Sequence, residues 1–255
     1  MYDDLRCSLP AAIERREVLD CLDRVLDPEL DESILKLGFV DSIAAENGRL
    51  TVELRLPTYW CAPNFSYLMA EDVRRELLTV KDIRDVTVRL KDHFASSAIE
   101  SGVNSGKSFV EAFPDEATEN LEQVRALFLR KGFIRRQERL LRSLRGAGLS
   151  YEDIAALTVA GIVCEGGFCK VCRDDGRLHR VGTANLVQQY LERRKQLGLA
   201  YSPTEPLMVD MRGDTLTARH MEKYFIYART VRVSLEANGS LCSALLAQRQ
   251  VDRIE

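Results

Sequence analysis

Leu50, Val52, Leu54 and Leu56 alternate with polar residues, the period-two pattern of a strand with one buried face. Downstream, Phe65, Leu68, Met69, Val73 and Leu77 recur at helical spacing, and Pro63 suits a first helical turn. Another strand, Phe39 to Glu46, precedes the first across Asn47-Gly48, a strong signal for a tight hairpin. A third, about Ile83 to Leu90, follows the helix with Val86, Val88 and Leu90 alternating. The hairpin makes the first two strands antiparallel, and the strand–helix–strand crossover makes the third parallel to the second. With a helix ahead of them, these elements predict a small α/β (α+β) domain of order αββαβ within residues 1–110.

This topology gathers chemistry on one rim. Cys61, in Thr58-Tyr59-Trp60-Cys61-Ala62-Pro63, sits in a strand-to-helix elbow, where outward backbone N–H groups can favour a thiolate. The alternative is a small buried hydrophobe, the usual state of a free cysteine. The loop before the first strand carries Asp27 and Glu29, and the third strand runs into Lys91-Asp92-His93. Open α/β arrangements place ligands outside the carboxyl ends of their parallel strands. Asp27, Glu29, Cys61 and His93 thus converge by connectivity on a thiolate/carboxylate/imidazole site. Taken singly, each carboxylate reads equally as a loop charge or cap, and His93 as a structural residue.

The run Val25-Leu26-Asp27-Pro28-Glu29, then Leu37-Gly38-Phe39-Val40, the glycine-turn hairpin and a Thr-x-x-Cys elbow resembles the small iron–sulfur assembly domain of PaaD and SufT. The same domain occurs in the eukaryotic cytosolic factor that delivers clusters to target enzymes. The resemblance spans roughly residues 15–93, a minority of the chain. It implies that Cys61 is the functional cysteine, that Asp27 and Glu29 form the acidic turn, and that a transient iron–sulfur cluster or iron is handled. One departure is Ala62, which intervenes where the family has Cys-Pro and shifts the helix start by a residue.

Charge divides the chain. Residues 1–122 carry a balance of −11 and the remainder +8, around an acidic, proline-containing stretch at 111–119. A second, mainly helical domain at 118–255 is expected, with a long helix at about 118–146 whose eight cations between Arg125 and Arg145 meet one acid, Glu138. Few aromatics interleave them for base stacking, so a solvated or partner-docking face is favoured over nucleic acid. Ser150 and Asp153 fit a capping box. Helices are expected near Ala184–Leu197 and Thr217–Tyr227, then a strand Thr230–Leu235 and a final helix to about Arg249. Cys164, Cys169 and Cys172 flank Gly166-Gly167, with Asp174-Asp175-Gly176 beyond, and can wrap one metal centre, with His179 or Cys242 as a fourth ligand. The spacing serves an iron–sulfur cluster or a zinc ion. Cys242 is expected at the N-terminus of the final helix, after Asn238-Gly239.

No apolar run approaches a membrane span and Met1-Tyr2-Asp3-Asp4 opens acidic, so a cytoplasmic protein with reduced cysteines is expected. No phosphate-cradling glycine loop, nucleophile elbow or His-Glu-x-x-His helix is present. The resemblance to the assembly domain implies a non-enzymatic function: an accessory factor that assembles or transfers a cluster or iron. Its partner would be a client metalloenzyme, another assembly protein, or a second copy in a homodimer. The length and appended domain also resemble accessory proteins of bacterial soluble diiron monooxygenases, which implies an oxygenase client. The rivals are an electron-transfer protein with a stable cluster on the cysteine loop and a zinc-stabilised adaptor. A Cys61 nucleophile has no visible oxyanion site to support it.

Overall fold

A computed structural model describes residues 5–114, 121–172 and 178–251. The chain forms two compact units. The first runs to Ala126 and resumes at Glu236, and the second is Leu127–Leu235. The last stretch of the chain thus belongs with the first unit rather than with residues from 118 onward.

The first unit contains β1 (Arg6–Ser8), α1 (Arg15–Arg24), β2 (Leu26–Asp27), β3 (Glu32–Ser33), β4 (Val40–Glu46), β5 (Arg49–Arg55), α2 (Pro63–Leu77), β6 (Asp85–Lys91), α3 (Ser96–Asn104) and α4 (Phe109–Ala112). Its sheet has the order β1-β4-β5-β6, with β4 antiparallel to β5 and β5 parallel to β6, as the hairpin and crossover predict. Glu46 pairs with Arg49 across Asn47 and Gly48, both at positive φ, so the hairpin turn is the two-residue kind that matches strand twist. Leu50, Val52, Leu54, Val86, Val88 and Leu90 are buried under α2, whose Tyr67, Leu68, Val73 and Leu77 form the facing layer. β1, parallel to β4, is too short for periodicity to reveal.

The second unit holds the greater part of α5 (Leu121–Gly146), then α6 (Tyr151–Ala156), β7 (Ile162–Glu165), β8 (Phe168–Cys172), β9 (Leu178–Thr183), α7 (Ala184–Gln196) and α8 (Ala218–Val251), which runs on into the first unit. The capping box of Ser150 and Asp153 opens α6. Phe133, Leu140, Leu141, Leu144, Val171, Tyr190 and Leu207 belong to one apolar core. Gln137 is fully buried yet satisfied, donating to Val209 O at 2.7 Å, and Tyr190 donates to Leu207 O at 2.7 Å.

Two expectations for this half need correction. Thr230–Leu235 is helix, not strand, and α8 runs unbroken through it and through Asn238-Gly239. The β-branched residues there favour extended structure only weakly. Met221, Ala228 and Leu235, seven apart and buried, form a helical stripe whose packing overrides that preference. The cysteine segment is a β-hairpin within the three-stranded sheet β7-β8-β9, whereas a metal loop was expected. The basic run on α5 is also less solvated than expected: Arg135 is buried, Arg136 donates to Gln189 O at 3.0 Å and Arg145 to Leu149 O at 2.6 Å.

Candidate functional site

Cys61 occupies the elbow between β5 and α2, half-buried, with its Sγ 3.1 Å from Thr58 Oγ1 in a hydrogen bond. Pro63 starts α2 at a position where a missing N–H costs nothing, which fixes where the elbow ends. On the neighbouring strand, Asp92 takes a positive φ just past β6 and turns the chain back toward the elbow. His93 then reaches Cys61, as the parallel pairing requires.

The contact is with the backbone, however. His93 Nδ1 accepts the Ala95 N–H at 3.1 Å, which puts the ring proton on Nε2. Nε2 lies 2.8 Å from the Cys61 carbonyl and donates to it. Ser66 Oγ stands 3.3 Å from the same nitrogen and donates to Ala62 O at 3.1 Å. Burial pulls the His93 pKa below its ordinary value, against the bond to Cys61 and with help from the nearby Arg249 charge. His93 is therefore a neutral clamp between the β6 end and the elbow, with both nitrogens committed to backbone groups. Phe94 N–H donates to Tyr59 O at 3.0 Å and closes the loop further. Trp60, beside the cysteine, is 73% exposed.

The acidic turn lies on β2 and the bend after it. Asp27 is buried, and its Oδ1 accepts the Leu30 N–H at 2.7 Å. Burial pushes its carboxyl up to about 6, opposed by the Leu30 N–H, reinforced by the Glu29 charge and opposed again by the Glu29 N–H. Glu29 accepts from Asn238 Nδ2 at 3.2 Å, so the turn is held by the last part of α8.

That same stretch carries Cys242. It sits in the middle of a helix rather than at an N-terminus, so no unbonded backbone N–H favours its thiolate. Its thiol is pushed up to about 11, first by burial and then by the negative groups Asp27, Cys61 and Glu29. Cys242 thus belongs to the first unit, where Asp27, Cys61 and Glu29 bear on its charge.

Two of the three hairpin cysteines face each other across a turn. Gly166 and Gly167, both at positive φ, make a two-residue hairpin turn, and Cys164 and Cys169 pair directly across it in a disulfide. Alternation along β8 buries Cys169 and leaves Cys172, three residues on, exposed on the opposite face. His179 pairs with Val171 on the neighbouring strand. The segment Asp174-Asp175-Gly176 lies outside the described residues. Among the described residues, no three His, Cys, Asp or Glu side chains stand together so as to hold a metal ion. His220 bonds Thr217 Oγ1 at 3.1 Å at the start of α8, and Asp210 caps its own turn by accepting from Arg212 and Asp214 N–H groups.

Sequence reasoning missed Thr58, Ser66 and Arg249. Thr58 was visible in the Thr-x-x-Cys spacing. Ser66 and Arg249 had no local signal, since their partners lie 27 and 193 residues away.

No helix among the described residues is long and apolar enough to cross a membrane. No curated protein matches the chain. Residues 15–90 match the family model described as iron–sulfur cluster assembly protein, a stretch that runs from α1 to β6, includes Asp27, Glu29 and Cys61, and supports a role in iron–sulfur cluster assembly.

Proposed function

We propose that this chain is an accessory factor for metalloenzyme maturation, which assembles an iron–sulfur cluster or iron and hands it to a client. The observation that carries this is the match at residues 15–90 together with a half-buried thiol, Cys61, at the parallel-strand end of that same domain. A delivery factor needs a soft ligand that grips iron while leaving coordination positions for the acceptor, and a thiolate at an open elbow meets that need. Asp27 and Glu29 add negative charge around the cargo, and the exposed Trp60 offers an apolar contact to a docking client. The client class we propose is a soluble diiron oxygenase.

The test is anaerobic loading of the full chain with ferrous iron and sulfide, followed by transfer to a client apoprotein. Wild type should take up iron and activate the client. Cys61→Ser should abolish transfer while shifting stability by no more than about 1 kcal/mol, as expected for a near-isosteric change outside the core. Unchanged client activation by the folded Cys61→Ser protein would overturn the proposal.

A further inference from the structure

Among the described residues β6 is the last strand of its sheet, so its outer edge carries backbone N–H and C=O groups with no strand to pair with. α3 takes that place with side chains. Asn104 Nδ2 donates to Val88 O at 2.9 Å, while its Oδ1 accepts the Val88 N–H at 2.8 Å. One turn earlier, Glu100 Oε1 accepts the Leu90 N–H at 2.8 Å. Val88 and Leu90 are two residues apart, so these N–H groups leave the strand on the same side, as ladder bonds do. The helix is closely seated: a Cβ on Gly102 would stand 2.8 Å from both Ala112 Cβ and the Tyr67 hydroxyl, so a glycine is what lets α3 lie there. Tyr67 in turn donates to Lys107 O at 2.5 Å and meets Phe109 and Phe113 edge-on, with ring centroids at 5.5 and 6.4 Å. The iron–sulfur assembly match ends at residue 90, so α3 and α4, which form this cover, lie beyond it.

The edge that α3 covers is self-complementary. Antiparallel pairing of β6 with a second β6, about a two-fold axis at Val88, would set Val88 opposite Val88 and Val86 opposite Leu90. It would also set Thr87 opposite Arg89 and Asp85 opposite Lys91. Val86, Val88 and Leu90 are buried, so apolar side chains would meet on one face, and the outermost pairs would join opposite charges. The N–H and C=O that Val88 gives to Asn104 are the two that a hydrogen-bonded antiparallel pair exchanges. The Asn104 carboxamide thus makes to Val88 the two bonds that Val88 of a second copy would make. We propose that Asn104 and Glu100 guard an interface for a second copy of this chain, in which β6 pairs with β6 across a two-fold axis. Opening it exchanges the three side-chain bonds for ladder bonds and breaks no covalent bond. Strand geometry supports this interface, which does not depend on a role in cluster assembly.

Sedimentation equilibrium of the full-length protein over a wide concentration range tests the guard. Glu100→Ala with Asn104→Ala removes all three bonds while keeping good helix formers on α3. The mass of this double variant should rise with concentration to twice that of wild type measured alongside. Amide hydrogen exchange at Val88 and Leu90 should be fast in the dilute variant and slow again as concentration rises, which association through another surface would not produce. Thr87→Lys, added to the double variant, sets a like charge opposite Arg89 twice in the dimer and should weaken association on the order of tenfold. Should the double variant fail to fold, Asn104→Asp takes its place: the carboxylate still accepts the Val88 N–H but repels the Val88 carbonyl, so association should again appear. Association that Thr87→Lys leaves unchanged would overturn the two-fold pairing. A folded variant that loses stability yet keeps the wild-type mass at every concentration would show that Asn104 only fastens α3, and the proposed interface would fall.

Discussion

Asp27 is a carboxylate held where little water reaches it, in a protein whose folded state must still accept its charge at neutral pH. Its carboxyl is raised from an ordinary 3.8 to about 6, chiefly by burial. Between those values the folded state binds the proton and the unfolded state does not, so stability falls as pH rises through that window. The loss amounts to roughly 2–3 kcal/mol once the group is ionised. Asp27→Asn keeps an oxygen to accept the Leu30 N–H but carries no charge. Its unfolding free energy, measured by urea melts from pH 4 to 7, should lack this decline and exceed wild type above pH 6. A parallel decline in both proteins would mean that Asp27 is not the group responsible.

His93 separates a clamp from a ligand at the same scale. His93→Ala leaves the Cys61 carbonyl and the Ala95 N–H without their side-chain partner and opens a buried space, which should cost about 2–4 kcal/mol. His93→Gln can still donate to the carbonyl, so it should recover much of that stability and retain metal uptake by Cys61. Loss of uptake in a stable His93→Gln protein would make the imidazole a ligand after all. Topology placed His93 beside Cys61 correctly, because parallel pairing fixes which strand ends meet. It could not say that the ring faces the backbone, which depends on Asp92 taking a positive φ and on Ser66 lying one turn into α2.

At the scale of elements, what was legible follows from the range of the interaction. The β4–β5 hairpin, the crossover through α2 and the capped start of α6 are each specified within a few residues, and each appears as read. In the cysteine segment ligand spacing and hairpin spacing coincide: Cys-x₄-Cys around two glycines suits a metal loop and equally a two-residue turn with a cross-strand pair, the form the structure shows. Val163 and Val171 beside the cysteines, and the alternation through Phe168 to Cys172, were the signal for strands. If the hairpin is structural, Cys164→Ala with Cys169→Ala should lower the stability of the protein by about 2 kcal/mol, the low end expected for so short a loop. Iron uptake per chain should stay at the wild-type value. A fall in iron with unchanged stability would restore the metal loop.

For the whole molecule, the consequence furthest from any local pattern is that the last stretch of α8 belongs to the unit that begins the chain. A cut at the acidic stretch after residue 110 follows charge, but charge does not report which distant surfaces are apolar and complementary. Leu246 is buried while Leu241, on the other side of the helix, is 61% exposed, and this contrast marks the face that seats on the first unit. Leu246→Ala removes a buried side chain over Gly38 and should cost about 2 kcal/mol or more, whereas Leu241→Ala should change stability by less than about 0.5 kcal/mol. Amide hydrogen exchange gives the more specific readout. In Leu246→Ala, protection should fall along the end of α8 and at Asp27–Leu30 together, because Asn238 holds that turn from the same face. Faster exchange confined to the helix end, with the acidic turn unchanged, would show that the stretch frays without supporting the rim, and the role of α8 in shaping the site would fall.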